Sequence, residues 1–201
     1  MNAWRVRGET AVIDDLDLGM AAPPWLSLPE FGGAPVPRTS TARVLVAGVG
    51  NVFYGDDGFG VEVAKRLQRR ALPAGVDVMD FGIRGFDLAC ALGSVESVIL
   101  VDAYPHGRPP GDLTLIEPDL AATGDEADDV PDVEPHGLEA VGVLRLAQAM
   151  HRLPARLFLV GCQPATGAGA DGFVGLSAPV RAAVDHAVSL CESLALDLLR
   201  A

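Results

Sequence analysis

Four short segments of this chain hold groups that could carry chemistry. Asp56 and Asp57 stand in Gly48-Val-Gly-Asn-Val-Phe-Tyr-Gly-Asp-Asp-Gly-Phe-Gly60. Asp80 opens Asp80-Phe-Gly-Ile-Arg-Gly85, Asp102 follows Val98-Ile-Leu-Val101, and His136 lies in Glu134-Pro-His-Gly-Leu138. Each falls at the end of a predicted strand or the start of a predicted helix. In open α/β sheets, groups at the carboxyl ends of strands face the crevice where ligands bind. A carboxylate there can serve as a general base. Two carboxylates at one edge repel unless a cation or a shared proton relieves them. Neutral imidazole beside carboxylate oxygens suits a borderline divalent ion such as zinc, nickel or cobalt.

Plainer roles compete with these. Asp56 and Asp57 together could cap the following helix, where backbone N–H groups and the helix dipole favour a negative charge. One Asp suffices for that, leaving the second to point into the cleft. Asp80 and Asp102 could each tie down a neighbouring loop, and a lone His136 could be structural.

Other chemistries fail on inspection. Gly48-Val-Gly50 suggests a dinucleotide loop, but its third glycine would fall at Phe53. The first acidic residue to end the next strand, Asp80, comes about 30 residues after Gly50, too late for a ribose contact. No His-Glu-x-x-His is present. Gly175-Leu-Ser-Ala-Pro179 breaks the nucleophile-elbow pattern at its last position. Cys162 ends a strand, yet nothing nearby in sequence would activate its thiol. The three cysteines, Cys90, Cys162 and Cys191, are odd in number and far apart. They read as buried free thiols in a reducing compartment rather than a disulfide framework or a zinc site.

The elements that must position these groups begin at Ala42. Strands are predicted over Arg43–Val49, Val76–Asp80, Ser97–Ala103 and Arg156–Cys162, with Asp112–Glu117 as an edge strand. Helices are predicted over Asp57–Arg70, Phe86–Leu92, Gly137–Met150 and Pro179–Leu199. In the last helix Val180, Val184, Ala187, Cys191, Leu194 and Leu198 recur at helical spacing. The alternation predicts an α/β fold of three layers, a mostly parallel twisted sheet with helices on both faces. Residues 42–201 form that domain. Residues 1–41, with Pro23-Pro24, Gly32-Gly33 and Pro35-Val-Pro37, read as a partly disordered N-terminal extension with a short docked piece around Trp25–Phe31.

A chain of 201 residues, 49% of them hydrophobic, can bury a sizeable core as one domain. A net charge of −12 argues against nucleic acid and anionic membrane surfaces as partners. No apolar run reaches the roughly 18 residues of a membrane span. The first residues lack the layout of a secretion signal, so the expected location is cytoplasmic. Glu117–Glu134 carries eight acidic residues and no basic one. It reads as a solvated loop, or as a border of the cleft that steers a basic partner.

In order, these motifs resemble the nickel-iron hydrogenase maturation endopeptidases. The resemblance rests on Gly48-Val-Gly50-Asn51, Asp56-Asp57-Gly58-x-Gly60, Asp80-x-Gly82-x-x-Gly85, Asp102-Ala103, His136-Gly137-Leu138 and Val160-Gly161-Cys162-Gln163-Pro164. It runs from about Ala42 to Leu199 and leaves the N-terminal extension unmatched. Each motif alone is weak; their order is specific. The resemblance implies an endopeptidase that removes the C-terminal extension of the hydrogenase large-subunit precursor after nickel insertion. It implies that Asp57, Asp102 and His136 contact the metal and that Asp80 is linked to activity. The nickel would come with the substrate, so the purified enzyme is expected to be metal-free. Two departures stand out. Some relatives carry Glu where this chain has the shorter Asp57, and some carry Thr where it has Ile83, which removes a hydroxyl beside Asp80. Two mechanisms stay open: a carboxylate activating water, and the metal polarising the scissile carbonyl. Two rival functions stay open too. One is a chaperone-like module that binds the metallated large subunit without cutting it. The other is an unrelated α/β hydrolase of small molecules, which would need a deep apolar pocket.

Overall fold

A computed structural model describes residues 2–6, 9–13, 42–118, 135–165 and 175–201, with side chains from residue 42 onward except those of 135–141. Its strands are β1 (Asn2–Val6), β2 (Glu9–Ile13), β3 (Val44–Val49), β4 (Val76–Gly82), β5 (Ser97–Ala103), β6 (Leu113–Pro118) and β7 (Arg156–Cys162). Its helices are α1 (Phe59–Leu67), α2 (Gly85–Leu92), α3 (Pro135–Ala149) and α4 (Ala178–Arg200). A 3-10 turn over Gly55–Gly58 leads into α1. No helix among the described residues is long and apolar enough to cross a membrane.

The strands form one sheet in the order β2-β1-β6-β7-β5-β3-β4. Strands β4, β3, β5 and β7 are mutually parallel, and β6, β1 and β2 continue the sheet antiparallel. Parallel strands are covered on both faces and so are apolar throughout. Strand β5 is buried along its whole length, and β3 except for Val49. Helices lie on both faces. On one, α1 and α4 pack on Val44, Val46, Ile99, Val101, Phe158 and Val160. On the other, α2 and α3 cover Leu45, Ala47, Val98, Leu100, Leu157 and Leu159. This is the predicted three-layer α/β architecture.

The structure differs from the sequence reading at two places. Strand β6 is not an edge: it pairs with β7 on one side and with β1 on the other. Its alternating pattern reflects partial burial of its faces, which says nothing about neighbours within the sheet. Strands β1 and β2, for which the sequence predicts no element, lie in the extension read as partly disordered, and they continue the sheet beyond β6. The Trp25–Phe31 piece and residues 119–134 of the acidic loop lie outside the described residues.

The strand order positions the site. From β3 the chain passes to β4 on one side and later returns as β5 on the other. The loops after β3 and β5 therefore leave a crevice between them, the switch point where open α/β sheets bind ligands. Asp57 follows β3, Asp102 lies near the end of β5, and Asp80 near the end of β4. Helix α1 seats close to this edge because Gly48 and Gly60 lack side chains. A Cβ on Gly60 would meet the Val101 carbonyl oxygen at 2.0 Å, and one on Gly48 would meet the Gly60 carbonyl oxygen at 2.3 Å.

Candidate active site

Two glycine turns form the floor of the crevice. Gly50 has φ +119° and Gly82 φ +53°, both in the region that disfavours a Cβ. They are joined directly, the Gly50 N–H donating to the Gly82 carbonyl at 3.0 Å. Three carboxylates surround this pair. The Asp57 Oδ2 accepts the Asn51 N–H at 2.6 Å. The Asp102 Oδ1 lies 3.7 Å from where a Gly50 Cβ would be, and the Asp80 Oδ1 lies 3.7 Å from the equivalent point on Gly82. Asp57 and Asp102 are buried, at 5% and 7% exposure, while Asp80 is half-buried. The structure thus brings Asp57, Asp80 and Asp102 to one edge. His136 is the second residue of α3, and its side chain lies outside the described ones.

Asp56 and Asp57 are adjacent and do different things. Asp56 points away from the glycine turns. Its Oδ1 accepts the Ser177 N–H at 2.6 Å, and its Oδ2 accepts the Ala165 N–H at 2.8 Å and the Ser177 hydroxyl at 2.9 Å. The residue preceding α1 is Gly58, which has no side chain to cap with. Asp56 instead makes a long-range tie between the β3 loop and the residue before α4. No sequence signal marks Ser177 as the partner, because 121 residues separate it from Asp56.

Arg84 is the second residue that the sequence did not single out. Its Nη2 donates to the Asp80 carbonyl and its Nε to the Phe81 carbonyl at 3.1 Å. The turn carrying Asp80 is therefore clamped through its backbone. Ile83, which has no hydroxyl to offer, is exposed beside it. Gln163, just after β7, accepts the His106 N–H at 2.7 Å and so fastens the loop after β5.

Cys162 is fully buried, and its thiol is pushed up to about 12, first by burial and then by the charges of Asp56 and Asp112. A thiol that stays protonated is a poor nucleophile. Cys191 is buried as well, whereas Cys90 is only half-buried, against the expectation of three buried thiols.

Among the described side chains no three His, Cys, Asp or Glu converge as a metal cluster. The residues that could contribute to holding a cation are the buried pair Asp57 and Asp102, which flank Gly50 and Asn51 from two sides. Their oxygens are hard donors, and completing a set for a borderline ion calls for nitrogen or sulfur from elsewhere.

Beside Asp102 a groove of about 310 Å³ opens between the β4–α2 turn and α3. Ile83, Phe86, Leu100, Val143 and Leu146 line it, and Asp102 is the charged residue among its described lining. Across the crevice, Val52, Phe53 and Tyr54 form an exposed apolar lip on the loop after β3.

The sequence model of the hydrogenase maturation protease family HycI matches residues 61–194. The hydrogenase expression/formation protein HupD of Rhodobacter capsulatus is 37% identical over 136 residues, 64% of this chain and 60% of that protein. A putative hydrogenase maturation protease of Methanocaldococcus jannaschii is 30% identical over 151 residues, 73% of this chain and 92% of that protein. The chain spans about 60% of the length of the HupD relatives from R. capsulatus and Bradyrhizobium diazoefficiens. Among solved structures, the hydrogenase maturating endopeptidase HybD from E. coli is similar with a TM-score of 0.62 and 26% identity, covering 77% of this chain and 93% of that one.

Proposed function

This chain belongs to the hydrogenase maturation protease family, and from that premise we propose that it is an endopeptidase acting on the nickel-iron hydrogenase large-subunit precursor. It removes the C-terminal extension once nickel is in place. The observation that carries this reading is the gathering of Asp57, Asp80 and Asp102 around the Gly50–Gly82 turn pair. Asp57 and Asp102, with His136 from α3, contact the nickel that the precursor carries. The ion belongs to the substrate, so an unmetallated precursor lacks the group these residues grip. That makes cleavage conditional on metal insertion.

Asp80 is the general base. It is the least buried of the three carboxylates, and the Arg84 clamp holds its backbone without occupying its carboxylate oxygens. Asp80 takes a proton from water, and the water oxygen adds to the scissile carbonyl carbon. The carbon–nitrogen bond then breaks. The amine leaves with the proton, and the mature subunit keeps a new carboxyl terminus.

Mass spectrometry of the large subunit, from cells with and without this gene, tests the reading. With the gene, the subunit should lose its C-terminal extension; without it, the extension should persist. Asp80→Asn should slow processing of purified precursor by about 10²–10⁴-fold, the usual share of a general base. His136→Ala should abolish processing with an unchanged circular dichroism spectrum. Tight binding of the metallated precursor without cleavage by the wild type would replace this reading with the chaperone-like one.

A further inference from the structure

The groove between the β4–α2 turn and α3 exposes large apolar side chains. Ile83 is 68% exposed, Phe86 65% and Leu146 37%, and all three line it. Such side chains, contiguous around one concavity, mark a binding surface more often than isolated exposed residues do. Two observations decide what occupies it. The groove is continuous with the crevice, since its wall contains Asp102 and its floor includes Val49 and Gly82, the residues beside and within the glycine turns. Apart from Asp102, its described lining is apolar or glycine, which suits an apolar side chain.

We infer that this groove is the specificity pocket for one bulky apolar side chain of the precursor, on a segment next to the bond that is cut. This rests on the endopeptidase reading of the crevice. An extended chain advances about 3.4 Å per residue. A peptide held at Asp80 and Asp102 therefore places a side chain in the groove one or two residues from the scissile bond. Ile83 makes the lip of the groove apolar in this chain, where Thr would present a hydroxyl. The side chain selected here is an apolar one, such as Leu, Ile, Met or Phe. A partner with Asp at that position is rejected, because its carboxylate would face Asp102 and otherwise apolar walls.

Gly142 supplies the test. It lies on α3 at the groove, and a Cβ there would meet nothing within 4 Å. Gly142→Leu therefore plugs the groove without a clash at the backbone, and leucine favours a helix over glycine. The substrates are the nickel-loaded large-subunit precursor and a panel in which each apolar residue near the cleavage site is replaced by Ala. Gly142→Leu should raise KM for the unaltered precursor at least tenfold. One Ala precursor should raise KM similarly with the wild-type enzyme and show no further rise with the plugged one, since two changes to a single contact are not additive. Additive effects at every position, or an unchanged KM with Gly142→Leu, would overturn the pocket. Failure of the wild type to cut any precursor would instead overturn the endopeptidase reading, so the two failures are distinguishable. A circular dichroism melt of Gly142→Leu no lower than wild type confirms that the plugged protein is folded.

Discussion

The two faces of the sheet are closed to different degrees. Over β3, β5 and β7, α1 and α4 bury a continuous set from Phe59 and Val63 through Val184, Val188 and Cys191. Arg66–Asp185 bridges the two helices at the surface at 2.6 Å, and Arg70, just beyond α1, reaches Glu192 of α4 at 3.4 Å. Over the other face, α2 and α3 pack on Leu45, Leu100 and Leu159 but leave the groove open beside Asp102. The difference teaches how the crevice is built. The closed face fixes the height and angle of the β3 loop, and the open face gives a substrate room to approach. Asp56 and Asp57 repeat the contrast on one residue pair, the first tied towards α4 and the second turned to the glycine pair.

The largest effect should come from breaking the closed face. Gly60→Ala puts a methyl 2.0 Å from the Val101 carbonyl oxygen and 2.5 Å from that of Val49, both backbone atoms that cannot rotate away. Helix α1 must shift off the sheet. The expected cost is about 3 kcal/mol, the upper part of the usual overpacking range. That lowers the Tm by about 6–12 °C for a chain of this size. Thermal melting followed by circular dichroism measures it, and an unchanged Tm would mean that α1 does not hold the β3 loop in place.

Next in size is the carboxylate pair. Asp56→Ala removes the acceptor of three hydrogen bonds, two from the Ser177 N–H and hydroxyl and one from the Ala165 N–H. Leaving such donors unsatisfied should cost about 2–3 kcal/mol. Asp57→Asn keeps an oxygen for the Asn51 N–H. Its stability should stay within about 1 kcal/mol of wild type, while the proposed contact with the precursor's nickel predicts a drop in precursor processing of roughly tenfold or more. Equal stability losses in the two variants would erase the distinction drawn between them.

A small gain should appear on the open face. Gly142→Ala meets no neighbour and replaces a poor helix former within α3. It should stabilise by about 0.5–1 kcal/mol, a rise in Tm of about 1–4 °C. The same Gly-to-Ala change thus has opposite signs on the two faces. A loss of stability in Gly142→Ala would show that this part of α3 packs more tightly than the groove implies.

The sequence made the edge legible because β/α alternation carries strand ends to one side, whatever the loops do. Arg43–Val49, Ser97–Ala103 and Arg156–Cys162 are largely apolar runs with Gly, Asp or Cys at or next to their ends. Their number and spacing are enough to place Asp57, Asp80 and Asp102 together. Contacts that depend on where loops return in space were not legible. The Asp56–Ser177 tie and the groove between Ile83 and Leu146 join residues far apart in the chain, and no local pattern encodes such pairs. The β1–β2 pair was missed for a related reason. Asn2–Val6 and Glu9–Ile13 are five residues each, short enough that their pairing with each other, and that of β1 with β6, outweighs local propensity in making them strands. The Pro- and Gly-rich residues that follow read as a partly disordered extension.

The smallest effect at neutral pH concerns the closed face again, through its two buried thiols. Burial holds both Cys162 and Cys191 up to about 12, helped by Asp56 and Asp112 at the first and by Glu192 at the second. In an unfolded chain a thiol titrates at about 8.5. The folded state therefore keeps these protons more tightly than the unfolded state. The stability this represents is fully present below about pH 8.5 and is lost as pH rises towards 12. Urea midpoints of wild type and of Cys162→Ala/Cys191→Ala should run parallel from pH 6 to 8, because nothing titrates differently there. Above pH 9 the wild type should fall more steeply; half-buried Tyr104, whose hydroxyl pKa is also raised by burial, contributes equally to both proteins and cancels in the difference. The same burial predicts chemical reactivity. At pH 8 iodoacetamide should label half-buried Cys90 in the native protein, leave Cys162 unmodified, and leave precursor processing intact. Rapid labelling of Cys162 with loss of processing would move the chemistry from the carboxylates to the thiol, and with it the division of labour between the two faces.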